Sequence, residues 1–162
     1  MLHDLVIHES EAARINTVLA AFMQESGASE TLLIDRSGQL LATGGKSPSF
    51  DTVSISALAA GAFSSTGAIA ELLGETEFSV LFHQGVRESI HVSTVDAETI
   101  LLAIFDDRTT VGMVRLFAKE ACRAIEAILA ESRAQPRRVG ALTAPLTAEE
   151  TRTVVEEEEQ AV

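Results

Sequence analysis

Helical and extended patterns of apolar residues alternate along the first 134 residues of the chain. Three stretches place apolar residues at the period of a helix, and five shorter ones have the composition or the period of a strand. The predicted helices span about 10–26, 51–74 and 110–134, and the predicted strands span 31–35, 39–43, 76–83, 88–95 and 99–105. Because short loops join the strands, the pattern predicts an α+β fold: a five-stranded antiparallel sheet sandwiched by helices, in the order α-β-β-α-β-β-β-α.

The ends of these elements carry turn and capping signals. Ser10 is predicted to cap the first helix, and Gly27 stands where its end needs a left-handed residue. Gly38 closes a hairpin loop between the first two strands. Asp51 is predicted to cap the second helix, which stops at Gly74.

Two apolar stripes predict how the outer helices pack against the sheet. The stripe of the first helix comprises Ala12, Ile15, Val18, Leu19, Phe22 and Met23, and that of the last comprises Val114, Phe117, Ala121, Ile125, Ile128 and Leu129. The continuously apolar run 100–105 is typical of a central strand covered on both sides. In the strand before it, polar and apolar residues alternate, which is typical of a sheet with one polar face.

The second helix, 51–74, has two apolar faces. One is an ordinary core-facing stripe of Ile55, Leu58, Ala62, Ile69 and Leu72. The other carries mostly small residues: Ala57, Gly61, Ser64, Ala68 and Glu71. Glycine in a helix interior costs about 1 kcal/mol relative to alanine, so Gly61 and Gly67 indicate a tight contact. The partner in that contact is a second protein, a second copy of this chain, or the chain's own elements; all three readings are open at this point.

From residue 135 the composition changes. Residues 135–162 contain two prolines and the acidic run 156–159, and we expect a flexible acidic tail after a domain of residues 1–134. Residues 147–150 have the form of a capping box, which predicts a possible short helix near 147–155.

Charge and cysteine content exclude several function classes. The formal net charge of −12 argues against nucleic-acid binding and against docking on anionic lipid. Cys122 is the single cysteine, so an internal disulfide and a multi-cysteine zinc site are excluded, and a small buried hydrophobe is the expected role. The amino terminus lacks signal-peptide features, and no stretch approaches the length of a membrane span. We therefore expect a soluble, cytoplasmic protein without membrane insertion.

No stretch of the sequence has the pattern of a catalytic, metal or cofactor site. Residues 44–47 end like a phosphate-binding loop but lack its first glycine. His83 and His91 could face each other across a hairpin, but no third ligand has suitable spacing, so solvated or partner-facing histidines are favoured. The run 106–108 is predicted to close a strand and begin a helix. The basic residues of the two outer helices are expected to form a solvated face, with a weak anion-binding or partner-steering patch as the minority reading; they are Arg14, Lys119, Arg123 and Arg133.

Four segments, read in this order of elements, resemble the Roadblock/dynein light chain family, and most closely its bacterial MglB-like branch. They are Leu32–Ala42 (LLIDRSGQLLA), Asp51–Glu75 (the second helix and its end), Glu77–Gly85 (EFSVLFHQG) and Ile104–Leu116 (IFDDRTTVGMVRL). The resemblance extends from about Leu5 to Ser132. No single segment would suffice, but together they are specific.

The resemblance implies a homodimer whose sheets join across the third strand, with two copies binding one small Ras-like GTPase of the MglA type. It implies a regulator that activates GTP hydrolysis in trans without an arginine finger, is itself no enzyme, needs no cofactor, and is cytoplasmic, concentrated at a cell pole. By position, the partner-binding residues would be Ala57, Ala60, Gly61, Ser64, Ala68, Glu71, Arg14 and Lys119. Glu120 stands where a second basic residue is expected. In this branch a tail helix can also touch the GTPase and affect nucleotide exchange, and the segment 147–155, which matches it poorly, is the candidate here.

Two other roles fit the same pattern. A Roadblock-type scaffold would bind a GTPase or a motor complex without altering its rate, and needs no catalytic residue either. A ligand-sensing domain of similar topology would enclose an apolar cavity between sheet and helices.

Overall fold

The order of helices and strands is the one that the sequence predicts. The computed structural model describes residues 7–46 and 50–134. In this part of the chain the elements are α1 (Glu9–Ser26), β1 (Glu30–Asp35), β2 (Leu40–Gly44), α2 (Thr52–Leu72), β3 (Val80–His83), β4 (Ser89–Thr94), β5 (Thr99–Phe105) and α3 (Val111–Ala134). The predicted tail and its short helix lie outside the described residues.

The five strands form one antiparallel sheet in the order β2-β1-β5-β4-β3. All seven residues of the central strand β5 are buried, as its apolar run predicts. Leu101, Ala103 and Phe105 pack in a core with α1 and α3. Ile100, Leu102 and Ile104 pack in a second core with α2. The alternation of β5 side chains therefore places α2 on one face of the sheet and α1 with α3 on the other.

The helix ends show how local chemistry fixes the boundaries. The N-cap of α1 is His8 rather than the predicted Ser10, because the Glu11 carboxylate accepts a hydrogen bond of 2.8 Å from the His8 backbone N–H. Gly27 ends α1 with a φ of 73°, as predicted. Asp51 caps α2, and its side chain accepts from the Val53 backbone N–H at 3.0 Å.

The strand β3 is shorter than predicted. It contains four residues, whereas the pattern indicated a strand over 76–83. The register pairs Val80 with Ser93, so residues 76–78 would lie opposite positions beyond Thr94, where β4 ends. β3 also lies at the edge of the sheet, with β4 as its neighbour.

The polar face of β4 also differs from the expectation. His91 and Ser93 alternate with apolar residues, but they are buried, with 1% and 7% of their surfaces exposed. The helix α3 packs over this face, and Cys122 Sγ of α3 lies 3.4 Å from Ser93 Oγ of β4. A polar stripe that the pattern assigns to solvent is thus enclosed within the fold.

We predict that Leu102→Ala lowers the free energy of unfolding by about 2–5 kcal/mol, because Leu102 is fully buried in the α2 core and its loss leaves a cavity. The matched control is Leu116→Ala on α3, where the side chain is 54% exposed, with an expected change within about 0.5 kcal/mol. Urea denaturation of both variants measures the difference. Equal losses at the two positions would contradict this account of the core.

Candidate functional site

The inward stripe of α2 consists of residues that belong to neither predicted face. Ser56, Ala60 and Phe63 are buried against the sheet. The Phe63 ring lies 4.7 Å from the Phe78 ring, centroid to centroid, and the Arg36 guanidinium lies 5.4 Å over Phe63. Of the predicted core stripe, Ile55 packs against this core, and the prediction is wrong for the other four residues, which are exposed. The inward stripe is shifted around the helix because α2 is apolar on nearly all sides, and Phe63 determines which side faces inward.

The outward side of α2 exposes an unusual amount of apolar surface. Five large apolar side chains are 56–88% exposed: Val53, Leu58, Ile69, Leu72 and Leu73. Between Thr52 and Leu72 the helix contains one charged residue, Glu71. Contiguous exposed apolar surface on a soluble domain marks an interaction site. We call this side the outer α2 surface, and include in it the exposed small residues of the same helix.

Five of the eight predicted site residues lie together on the outer α2 surface. Ala57, Gly61, Ser64, Ala68 and Glu71 are all exposed. Gly61 has open space around it, with no heavy atom within 4 Å of the position where a Cβ would stand. Ala60 differs, because it is 3% exposed and packs in the core beneath α2. Ala60 therefore supports the helix from within and is not available to a partner.

The two basic residues of the predicted site lie on the opposite face of the sheet. Arg14 is on α1, where it forms an ion pair of 2.6 Å with Glu131 of α3. This hydrogen bond raises the pKa of Arg14 and lowers the pKa of Glu131. Lys119 is exposed on α3. The structure thus divides the predicted residues between two surfaces that the sheet separates.

The other candidate residues do not form the metal or acidic sites that were considered from the sequence, and His91 is buried rather than solvated. His83 pairs with Ile90 and His91 with Phe82, so the two histidines point to opposite faces of the sheet and cannot share a metal. The described residues contain no group of three or more metal-ligating side chains. Asp106 follows β5, and its carboxylate accepts from the Arg108 backbone N–H at 3.0 Å, as expected for a strand end. The Arg108 side chain also bonds to it and lowers its pKa.

The helix α2 is also long and apolar enough to cross a membrane, by length and composition alone. This finding corrects the expectation that no stretch of the sequence approaches the length of a membrane span. One side of α2 nevertheless packs in the sheet core through Phe63 and Ala60. The core helix of a soluble protein passes the same test of length and composition.

The fold is that of the Roadblock/LC7 domain, and the family matches residues 14–105. This chain belongs to the Roadblock/LC7 family. Within the family it is similar to Myxococcus xanthus MglB, at 35% identity over 72% of this chain and 95% of that one, with a TM-score of 0.69. It is also similar to the gliding protein MglB from Thermus thermophilus, at 34% identity over 79% and 97%, with a TM-score of 0.74.

A third solved structure, described as MglB with a tetrameric arrangement, is 32% identical over 80% of this chain and 97% of that one, with a TM-score of 0.75. No curated protein matches the sequence. The resemblance stated from the sequence is therefore confirmed at the level of the family and of its MglB-like members.

Gly61→Ala is expected to stabilise the protein by up to about 1 kcal/mol, because alanine favours the helix and nothing in the described fold obstructs a Cβ. Gly67→Ala is the matched comparison. Its Cβ would meet the Phe78 ring at 3.2 Å, so the gain is expected to be smaller. Thermal unfolding at low protein concentration distinguishes the two. An equal or larger gain at Gly67 would contradict the packing of Phe78 against α2.

Proposed function

We propose that this chain is a homodimeric regulator of a small Ras-like GTPase of the MglA type, and that it activates GTP hydrolysis in trans. Two copies bind one GTPase through the outer α2 surface. The regulator acts in the cytoplasm, concentrated at a cell pole. The observation that most supports this proposal is a 21-residue helix whose outer side is apolar, exposed and almost without charge. It occurs in a chain that is 32–35% identical to MglB proteins.

The outer α2 surface has the properties of a protein contact. Small residues such as Gly61, Ser64 and Ala68 let a second backbone approach closely, and the surrounding large apolar side chains supply area to bury. Burying one such side chain fully contributes roughly 1.5–3 kcal/mol. Part of that gain is offset by the entropy lost on association. Five of them together offer roughly 7–15 kcal/mol before that cost is subtracted.

The edge strand β3 supports dimer formation. It has one neighbour in the sheet, so its other side presents backbone groups that a second β3 can pair with. Pairing two copies there would place both α2 helices on the same face of one extended sheet. The solved MglB with a tetrameric arrangement is a similar protein that assembles from several copies.

Activation follows from positioning rather than from a catalytic side chain. The helix α2 contains neither lysine nor arginine, so the outer α2 surface itself offers no arginine finger. A partner that binds the hydrolysis-competent arrangement of the GTPase switch loops raises the population of that arrangement. If the free GTPase populates it at roughly 0.1–10%, full stabilisation raises the rate by roughly 10-fold to 1,000-fold.

Single-turnover GTP hydrolysis by an MglA-type GTPase tests this function. Addition of saturating regulator is expected to raise the rate by at least about 10-fold. Binding without acceleration would favour the scaffold, the second candidate that the same surface permits. Absence of binding to both the GTP and GDP forms would remove both candidates.

Ala68→Arg is expected to weaken GTPase binding by about 3 kcal/mol or more, roughly 100-fold, because an unpaired charge would be buried in a close helix contact. Ser64→Arg is expected to behave alike. The control is Ala20→Arg, an exposed alanine of α1 on the opposite face of the sheet. Titration calorimetry with the GTP-bound partner, together with circular dichroism of each variant, makes the comparison. Full affinity in folded Ala68→Arg would show that another surface binds.

A further inference from the structure

A cavity lies between α3 and the strands β3 and β4, on the face of the sheet opposite α2. Its volume is about 330 Å³, within the range of pockets that bind small molecules, roughly 300–1,000 Å³. Its polar lining includes His91, Ser93, Arg115, Lys119, Arg123 and Glu126. Polar and charged groups therefore line it beside Val80, Val95 and Ala118, whereas the cavity expected of a ligand-sensing domain is apolar.

His91 is the buried polar group of this cavity. It is 1% exposed, and neither of its ring nitrogens has a hydrogen-bond partner among the described residues. Buried polar groups without partners are rare and costly, so each needs an explanation. Burial, and then the charge of Arg115, lowers the pKa of His91, which leaves the ring neutral at pH 7. A neutral imidazole offers a ligand one N–H donor and one nitrogen acceptor.

The neighbouring thiol belongs to the wall and not to a reactive site. Cys122 is 7% exposed, and its Sγ lies 3.4 Å from Ser93 Oγ. Burial raises the pKa of the Cys122 thiol to about 11. The thiol is therefore protonated at pH 7, and the cavity binds rather than reacts through this residue.

Three cations line the cavity along one stripe of α3. Arg115, Lys119 and Arg123 are spaced by four residues, so they lie on the same side of the helix. The ion pairs among residues 7–46 and 50–134 involve other basic residues, namely Arg14, Arg108 and Arg133. The cavity therefore carries three positive charges and one negative charge, that of Glu126. This local excess of positive charge occurs in a chain whose net charge is −12. Such a concentration attracts anions.

We propose that this cavity binds a small anionic molecule, with its phosphate or carboxylate group at Arg115 and Lys119 and its polar remainder hydrogen-bonded to His91. A phosphate and a carboxylate share the required chemistry, an oxyanion that accepts several charge-assisted hydrogen bonds. One ordered water needs only about 10–15 Å³ of such space, so the cavity accommodates more than a water that serves His91. The proposal does not depend on the GTPase, since the sheet separates the cavity from α2.

Nuclear magnetic resonance of the full chain tests the proposal through the His91 ring. The chain has four histidines, and loss of one ring signal in His91→Gln, but not in His83→Gln, assigns it. Inorganic phosphate, glycerol 3-phosphate and citrate are titrated separately, with potassium chloride at matched ionic strength and glycerol as neutral controls. A saturable shift of the His91 signal with at least one of the three anions is expected, and none with the controls.

Charge variants show whether the shift arises in the cavity. Arg115→Gln and Lys119→Gln are each expected to weaken binding of the effective anion by about tenfold or more. Both side chains are exposed, so the variants are expected to fold. The control is Arg87→Gln, which removes one positive charge from an exposed residue outside the cavity and is expected to change binding less than about twofold.

Three results would overturn the proposal. The first is a His91 signal that none of the three anions moves saturably. The second is an equal loss of binding in Arg87→Gln and Lys119→Gln, which would indicate attraction to overall charge. The third is a shift produced by a glutamate-rich peptide but by none of the small anions, which would assign the cavity to a protein segment.

Discussion

The burial of β5 on both faces is the constraint on which the rest of the fold depends. Its seven residues alternate between two cores, so the sheet must be covered on both sides. Two helices, α1 and α3, cover one side, and α2 covers the other alone. Because no further described element packs on α2, its outer side stays exposed. The surface proposed to bind a partner is thus a consequence of placing a single helix on one face of a five-stranded sheet.

The way α2 packs explains how it can cover one face of the sheet and still expose apolar side chains on its outer side. Its inward stripe is small except for Phe63, and Ser56 is fully buried, its hydroxyl donating to the Thr52 carbonyl at 2.7 Å. The β1–β2 turn also approaches closely: Gly38 has a φ of 96°, and a Cβ there would stand 3.0 Å from the Ala57 backbone. The helix is therefore held by few large side chains and close backbone contacts. Most of its large apolar residues are therefore left exposed.

Sequence patterns predicted those features in which local chemistry and periodicity agree. The buried stripe of α3, the glycine at the end of α1 and the central position of β5 follow from capping and from apolar spacing. The inward side of α2 could not be predicted in this way. Apolar residues occur all around this helix, so their spacing does not indicate which side faces the sheet. The exposure of Ala57, Gly61, Ser64 and Ala68 agrees with the small face, whereas Ala60 sits one position around the helix and is buried.

The polar cavity was beyond prediction for a different reason. Alternation correctly assigned His91 and Ser93 to a polar face of β4, but only tertiary packing shows that α3 covers that face. The basic residues of α3 were visible in the sequence as scattered charges. Their convergence on a buried histidine depends on the distance between α3 and the β3 edge, which no local pattern encodes.

The edge strand β3 connects the two proposed sites. Its residue Val80 lines the cavity, and its free side is where a second copy would pair. A ligand that fixes the position of β3 against α3 changes the free energy of pairing at that edge. By thermodynamic linkage, dimer formation must change the affinity for the ligand by the same factor. The helix α2 covers the other face of the same sheet, so the proposed partner binding, the proposed dimer formation and a ligand in the cavity would all act on one shared element.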